Sequence, residues 1–283
     1  MSEPIAMRRL LRVELKRLRG DAGLTQRQVA EDLHWLPSKI IRMESGSAAV
    51  AASDLRALLG RYGVRDRTLI DELMRMATQS APVPFVEYRH FLAVETIRYF
   101  GYEASASTIR QFEPLVVPGL AQTVGYTRAL LAAHDIPEYL HEGYSASRSE
   151  RQELLERKDP PELFLILDES ALLRVIGGPA VMLDQLHHLL RLSERPHVTI
   201  QVLPLTAGEH AGLRGPFALL EFSAADHHPD VLYLENRRSG DQMFVDDADV
   251  TSAYREVFWA LEDQACQPRE FVGFAQRAID SLA

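Results

Sequence analysis

Hydrophobic positions recur in two different rhythms along the chain. Up to residue 78 they fall at helical spacing. Leu11, Leu15 and Leu18, at i, i+4 and i+7, share one face of a helix expected over Ile5 to Ala22, and Gly23 follows as its terminator. Ser53 is expected to cap a later helix whose inner face holds Leu55, Leu58, Leu59 and Tyr62. A further helix, from about Asp66, buries Leu69, Leu73 and Met76. The stretch from Thr78 to Pro84 is small, polar and proline-bearing, the composition of a linker. Residues 85–157 read as helical, with Val117-Pro118-Gly119 marking a helix start. From residue 162 short strand-like runs take over: Leu163–Leu167, Val198–Leu203, Phe217–Phe222, Val231–Glu235 and Gln242–Val245. Helices at about 179–194, 247–265 and 268–282 flank them. The expectation is a multidomain chain: an all-α domain over 1–78, a linker over 79–84, and an α/β (α+β) domain over 85–283 with a mixed or antiparallel sheet of about five strands.

The densest local signal lies in residues 23–46. Thr25 with Gln28 three residues on forms a capping box, so a helix starts at Gln26, with Val29, Ala30 and Leu33 as its apolar stripe. It stops near Leu33, and a turn over His34 to Leu36 leads to Pro37, suited to the first position of a second helix. There Ile40 and Met43 point inward, Ser38, Ile41, Arg42 and Ser45 share the outer face, and Gly46 terminates. Two short helices joined by a three-residue turn make the helix-turn-helix geometry, whose second helix enters the major groove of double-stranded DNA. Arginine there can pair with guanine, serine adapts to either partner, and isoleucine can meet a thymine methyl. Gln26, with Thr25 before it, sits where an amide and free helix N–H groups can hold a phosphate.

Charge sharpens this picture. The net charge of −9 taken whole argues against nucleic acid. Residues 1–80, however, carry 14 Lys and Arg against 10 Asp and Glu, a net of +4, while the rest carries 17 against 30, a net of −13. A mildly basic end on an acidic body suits a DNA reader whose larger part discourages non-specific adhesion. No apolar run is long enough to span a bilayer, Met1 to Arg9 lack a signal-peptide pattern, and the single Cys266 cannot form an internal disulfide. A cytoplasmic setting with no membrane association is expected.

The pattern Gly-Leu-Thr-Gln-x-x-Val-Ala, then Pro-Ser-x-Ile-x-Arg-x-Glu-x-Gly, resembles the phage-repressor (Xre-like) helix-turn-helix class over about residues 8–63. That resemblance implies a five-helix domain in which Gln26 holds a phosphate and Ser38, Lys39, Ile41 and Arg42 face the groove. Two departures stand out. His34 replaces the turn glycine, and Leu36 replaces the usual polar cap, at about 1 kcal/mol of local stability. The apolar Trp35-Leu36 pair serves either core packing or a contact with the second domain or a dimer mate.

Residues 91–283 carry Phe112 to Thr123 (FEPLVVPGLAQT), Tyr126 to Leu130, Arg148, Arg151-Gln152, Leu167 to Leu172, Gln201 to Pro204 and Gly215-Pro216-Phe217. This is similar to the domain of unknown function that follows an Xre-like module in many actinobacterial (streptomycete-type) regulators. The resemblance implies a regulator of development or specialised metabolism, and a small acidic partner protein encoded nearby in a toxin–antitoxin-like arrangement.

Taken singly, the polar residues of this domain suggest little chemistry. Asp168-Glu169 end a strand, where carboxylates more often cap a helix than catalyse. His187-His188 and His227-His228 are adjacent and do not converge on one metal. Arg148 and Arg151, three apart on a helix, either clamp an anion or form a salt-bridged face. Gly177-Gly178-Pro179 and Gly212 to Pro216 are turns without phosphate-loop spacing. No catalytic residue, metal, cofactor or defined ligand site is assigned, and an enzyme is not expected. The leading function is a sequence-specific transcriptional regulator, acting as a homodimer whose second domain responds to a ligand or a small protein partner. The alternatives are an antitoxin-like protein that neutralises its partner and autoregulates through DNA, and, more remotely, a DNA-targeted enzyme.

Overall fold

The computed structural model describes residues 4–45, 50–78, 85–223, 229–235 and 242–282. The chain divides into two compact units, the first running to Val86 and the second from Glu87 on. The expected linker, residues 79–84, lies outside the described residues, as do Gly46, His227 and His228.

The first unit consists of helices α1 (Pro4–Asp21), α2 (Gln26–Asp32), α3 (Pro37–Ser45), α4 (Ala52–Arg61) and α5 (Arg67–Thr78). Gly23 takes the left-handed conformation at φ 67°, and Leu24 N–H closes back on the Arg19 carbonyl, ending α1. Leu11, Leu15 and Leu18 meet Val29, Ala30, Ile40 and Met43 in one core, completed by Leu55, Leu58 and Leu59 from α4 and Leu73 from α5. Ser53 does not cap α4. The helix starts two residues earlier, at Ala52, after an extended Ala51 whose side chain has no oxygen to offer, and Asp54 supplies the negative charge its first turn favours.

The second unit is built on a six-stranded mixed sheet in the order β3-β2-β1-β4-β5-β6. Its strands are β1 (Thr108–Glu113), β2 (Glu162–Asp168), β3 (Val198–Leu203), β4 (Phe217–Glu221), β5 (Val231–Glu235) and β6 (Gln242–Val245). β1, β2 and β3 are parallel; β1–β4, β4–β5 and β5–β6 pair antiparallel. The helices are α6 (Val94–Ser105), α7 (Val124–Ala133), α8 (Glu138–Gln152), the short α9 (Glu169–Leu173), α10 (Pro179–Ser193), α11 (Ala248–Gln264) and α12 (Phe271–Asp280). β1 corrects the expectation that residues 85–157 are helical apart from the interruption at Val117-Pro118-Gly119. Register puts Phe112, Ile166, Phe217 and Leu219 on one face of the sheet, packed with Phe258 and Leu261 of α11. Ile109, Gln111 and Glu113 point to the opposite face. The β3 edge is covered by the chain at Cys266, whose N–H donates to the Val202 carbonyl at 2.8 Å.

Candidate functional site

The helix-turn-helix is held by a polar centre. The Thr25 hydroxyl accepts from Gln28 N–H at 3.2 Å, and Gln28 Oε1 accepts from Thr25 N–H at 2.9 Å, so the capping box that opens α2 is complete. His34 adopts φ 55°, as the missing turn glycine demands, and Trp35 N–H closes the turn on the Ala30 carbonyl at 2.8 Å. Glu44, buried on the inner side of α3, accepts from Arg19 Nε at 2.7 Å and Nη2 at 3.0 Å, and from the Gln26 amide at 2.8 Å. The third nitrogen of Arg19 donates to the Leu24 carbonyl at 2.8 Å. One carboxylate thus ties α1, the start of α2 and the end of α3 together, fixing the angle between the two helices. Burial, and then Glu44, push the nearby Tyr62 phenol up to about 12.

Around this centre the six expected contact residues separate. Ser38, Ile41 and Arg42 stand exposed on the outer face of α3, Ile41 at 50% exposure. Arg42 Nε donates to the Ser38 carbonyl at 3.3 Å. Lys39 is drawn sideways: its ammonium lies 2.8 Å from Asp54 of α4 and 3.8 Å above the Trp35 ring. Gln26 is held by Glu44, and the Thr25 hydroxyl is spent on the cap. The Ser45 side chain lies outside the described residues. Trp35 packs against the core of its own unit, while Leu36 is 73% exposed at the entrance to α3. Glu44 and Arg19 were missed in the sequence, although the signal was there: Glu44 follows Ile40 at i+4 and Met43 at i+1, on the inward side of its helix.

The second unit contains a cavity of about 450 Å³. Its floor is the sheet face carrying Gln111, Glu113, Ala218 and Tyr233; α6, α7 and α8 and the loop leaving the carboxyl end of β1 form its walls. That loop is the Val117 to Thr123 segment, and buried polar groups hold it. Tyr126 Oη accepts from Val117 N–H at 3.1 Å. The Gln122 amide donates to the Val117 carbonyl at 2.6 Å, and Gln152 donates to the Gly119 and Gln122 carbonyls at 3.1 and 2.7 Å. Gln185 of α10 accepts from Thr123 N–H and donates to the Ala121 carbonyl, both at 2.7 Å.

Arg148 and Arg151 both reach this cavity, and they differ. Arg148 donates to Gln122 Oε1. Arg151, 6% exposed, forms a two-pronged pair with Glu103 of α6, 2.8 Å at each contact, and its guanidinium lies 4.0 Å from the centre of the Phe100 ring. Burial opposes the Arg151 charge, but the Glu103 carboxylate outweighs it and raises the pKa above the ordinary value. Burial also pushes Tyr99 well above its usual range, helped by Glu103, and Tyr99 stacks on Tyr233 with centroids 4.1 Å apart.

The other polar candidates take structural roles. Asp168 caps α9 by accepting from Ser170 N–H at 2.9 Å, and Glu169 accepts from Leu205 N–H at 2.9 Å. His188 is half-buried, and burial lowers its pKa. Gly177 and Gly178 have φ 74° and 87°, a turn into α10 with Pro179 at its first position. Burial raises the Cys266 thiol. Among the described residues no three His, Cys, Asp or Glu side chains gather as a metal site, and no helix is long and apolar enough to cross a membrane.

Two family comparisons fit this division. Residues 10–73 match a helix-turn-helix domain. Residues 96–277 match the domain of unknown function DUF5753. The second match spans more than half of the chain, which belongs to that family and carries a helix-turn-helix domain ahead of it. No curated protein and no solved structure matches the chain.

Proposed function

We propose that the protein is a sequence-specific DNA-binding transcriptional regulator that reads the major groove with α3. The observation that carries this reading is the outer face of α3. It presents Ser38, Ile41 and Arg42 to solvent while Glu44, on the same helix, anchors it from behind. A rigidly mounted helix with an arginine, a serine and one branched apolar side chain can address guanine and thymine edges together. Gln26 and Lys39 act beside it as phosphate contacts, exchanging Glu44 and Asp54 for DNA oxygens. A single such domain buries too little surface for tight operator binding, so the reading includes a homodimer on a pseudo-palindrome with half-sites about one helical turn apart. The second unit supplies the response to a ligand or to a small protein partner. The reading is of a binding protein, not an enzyme.

The experiment is binding to the protein's own promoter fragment against scrambled DNA, at two salt concentrations. Arg42→Ala is expected to lose about 1–3 kcal/mol at the specific site, and Lys39→Ala to reduce the salt slope by about one unit on any sequence. Equal binding of wild type and Arg42→Ala to both fragments would remove α3 as the reading element. Specific binding that appears only when a small acidic partner is added would favour the antitoxin-like form of the reading.

A further inference from the structure

Arg151 lacks a hydrogen-bond acceptor but not a counter-charge. Its Nε and Nη2 both donate to Glu103 at 2.8 Å, and among the described residues nothing accepts from Nη1. A buried guanidinium nitrogen without an acceptor is costly. The side chain is 6% exposed and lines the cavity of the second unit, so that space is where an acceptor has to come from. The guanidinium itself is confined. The Phe100 ring centre lies 4.0 Å from it, and a Cβ on Gly119 would stand 2.9 Å from Nη1. The charged side chains of the cavity already balance. Glu113, Arg148 and Arg151 line it, and Glu103 stands behind Arg151, two of each sign. Arg148 and Glu113 are engaged within the protein, Arg148 with Gln122 Oε1 and Glu113 with the Gln111 amide. A ligand with a net charge of either sign would enter this balanced space without a counter-ion.

We propose that this cavity binds an uncharged, planar aromatic molecule through a carbonyl oxygen that accepts from Arg151 Nη1. The proposal rests on the reading of the second unit as the part that responds to a small molecule, and it names the class of that molecule. A carbonyl oxygen supplies the missing acceptor and leaves the charge balance as it is. From a charged donor it also receives a stronger bond than from a neutral one. The walls select the body. Tyr99 and Tyr233 stack with centroids 4.1 Å apart, and Phe100 and Tyr144 extend the aromatic surface around them. About 450 Å³ is the size of sites for small organic molecules. Depth is kept on the floor by Ala218, the register partner of Gln111 on β1, whose side chain is the smallest that a strand can present there without a glycine.

The test is direct binding to the full-length protein without DNA, by calorimetry and ligand-observed NMR. It is run at pH 8, above the ordinary histidine range, because His134 also lines the cavity. Two series of near-isosteres serve as probes. One is 2-naphthamide, 2-naphthoate, 2-naphthylmethylamine and 2-methylnaphthalene; the other is indole-3-acetamide, indole-3-acetate, tryptamine and 3-ethylindole. At least one amide is expected to bind, with its acid and its amine at least about tenfold weaker, because each brings a charge into a balanced site. The hydrocarbon of that series is expected to fall behind by about tenfold as well, because the charge-assisted hydrogen bond is lost. Ala218→Leu fills the cavity from its floor and removes no hydrogen bond. It is expected to weaken the amide at least about tenfold, with thermal unfolding close to that of the wild type. Arg151→Lys keeps a cation opposite Glu103 but has no Nη1, and is expected to weaken the amide about tenfold. Failure of both amides to bind overturns the proposal. So does an acid, an amine or a hydrocarbon that binds as tightly as its amide, or amide binding that survives Ala218→Leu. A protein that binds an amide but not its promoter fragment would lose the regulator reading and keep this site; promoter binding with no amide bound would do the reverse.

Discussion

Both units are centred on an arginine paired two-pronged with a buried glutamate, and the two pairs are finished differently. In the first unit Arg19 gives all three nitrogens to the protein, two to Glu44 and one to the Leu24 carbonyl, and Glu44 takes Gln26 as well. In the second, Arg151 is more deeply buried, 6% exposed against 19% for Arg19, yet keeps one nitrogen for a cavity. A saturated pair is a fastening: it sets helix angles and has nothing left to offer. An unsaturated pair beside an open space leaves one edge of its guanidinium facing that space.

Breaking the pairs should separate them. Glu103→Ala strands a buried arginine and is expected to cost about 3–5 kcal/mol, read in urea unfolding by far-ultraviolet circular dichroism. Glu44→Ala leaves Arg19 some access to water and should cost less, about 2–3 kcal/mol. Equal losses would show that burial depth does not distinguish the pairs. Smaller changes address one unit each. His34→Gly relieves the left-handed turn and should raise the stability of the helix-turn-helix by up to about 1 kcal/mol, visible as slower amide exchange in α2 and α3 alone. The smallest effect concerns His188. Its pKa in the folded state is depressed, so the unfolded chain binds the proton more readily, and stability is lost as pH falls through the ordinary histidine value near 6.5. His188→Gln should flatten that acid loss in the second unit by tenths of a kcal/mol; an unchanged profile between pH 7 and 5 would refute it.

The helix-turn-helix was legible almost residue by residue because its signals are local: a capping box, a short apolar stripe, a proline at the first position of α3. The second unit was legible where strands are buried on both faces, as in β2 and β3, and illegible at β1. The reason is physical. β1 turns Gln111 and Glu113 to the cavity, while Arg110, on the α11 side, pairs with Glu221 and lies 4.4 Å from the Phe164 ring centre. Polar residues on both faces erase the two-residue rhythm by which strands are recognised, so the strand hardest to see is one of those that line the cavity. The Arg148 and Arg151 pair was singled out at its correct spacing. Its partners Glu103, 48 residues from Arg151, and Gln122, 26 from Arg148, come together only through the fold.

The placement of Lys39 over Trp35 makes the first unit its own optical reporter. The ammonium lies 3.8 Å from the indole centre, close enough for its field to tune the ring's emission, and Asp54 accepts from it at 2.8 Å. A phosphate backbone approaching α3 competes for that ammonium. In a Trp259→Phe background, which leaves Trp35 as the only tryptophan, wavelength and intensity should change on DNA binding without any dye, and Lys39→Met should silence the change. The apolar turn residue Trp35 is thereby placed to turn any charge arriving beside Lys39 into a signal that can be read in real time.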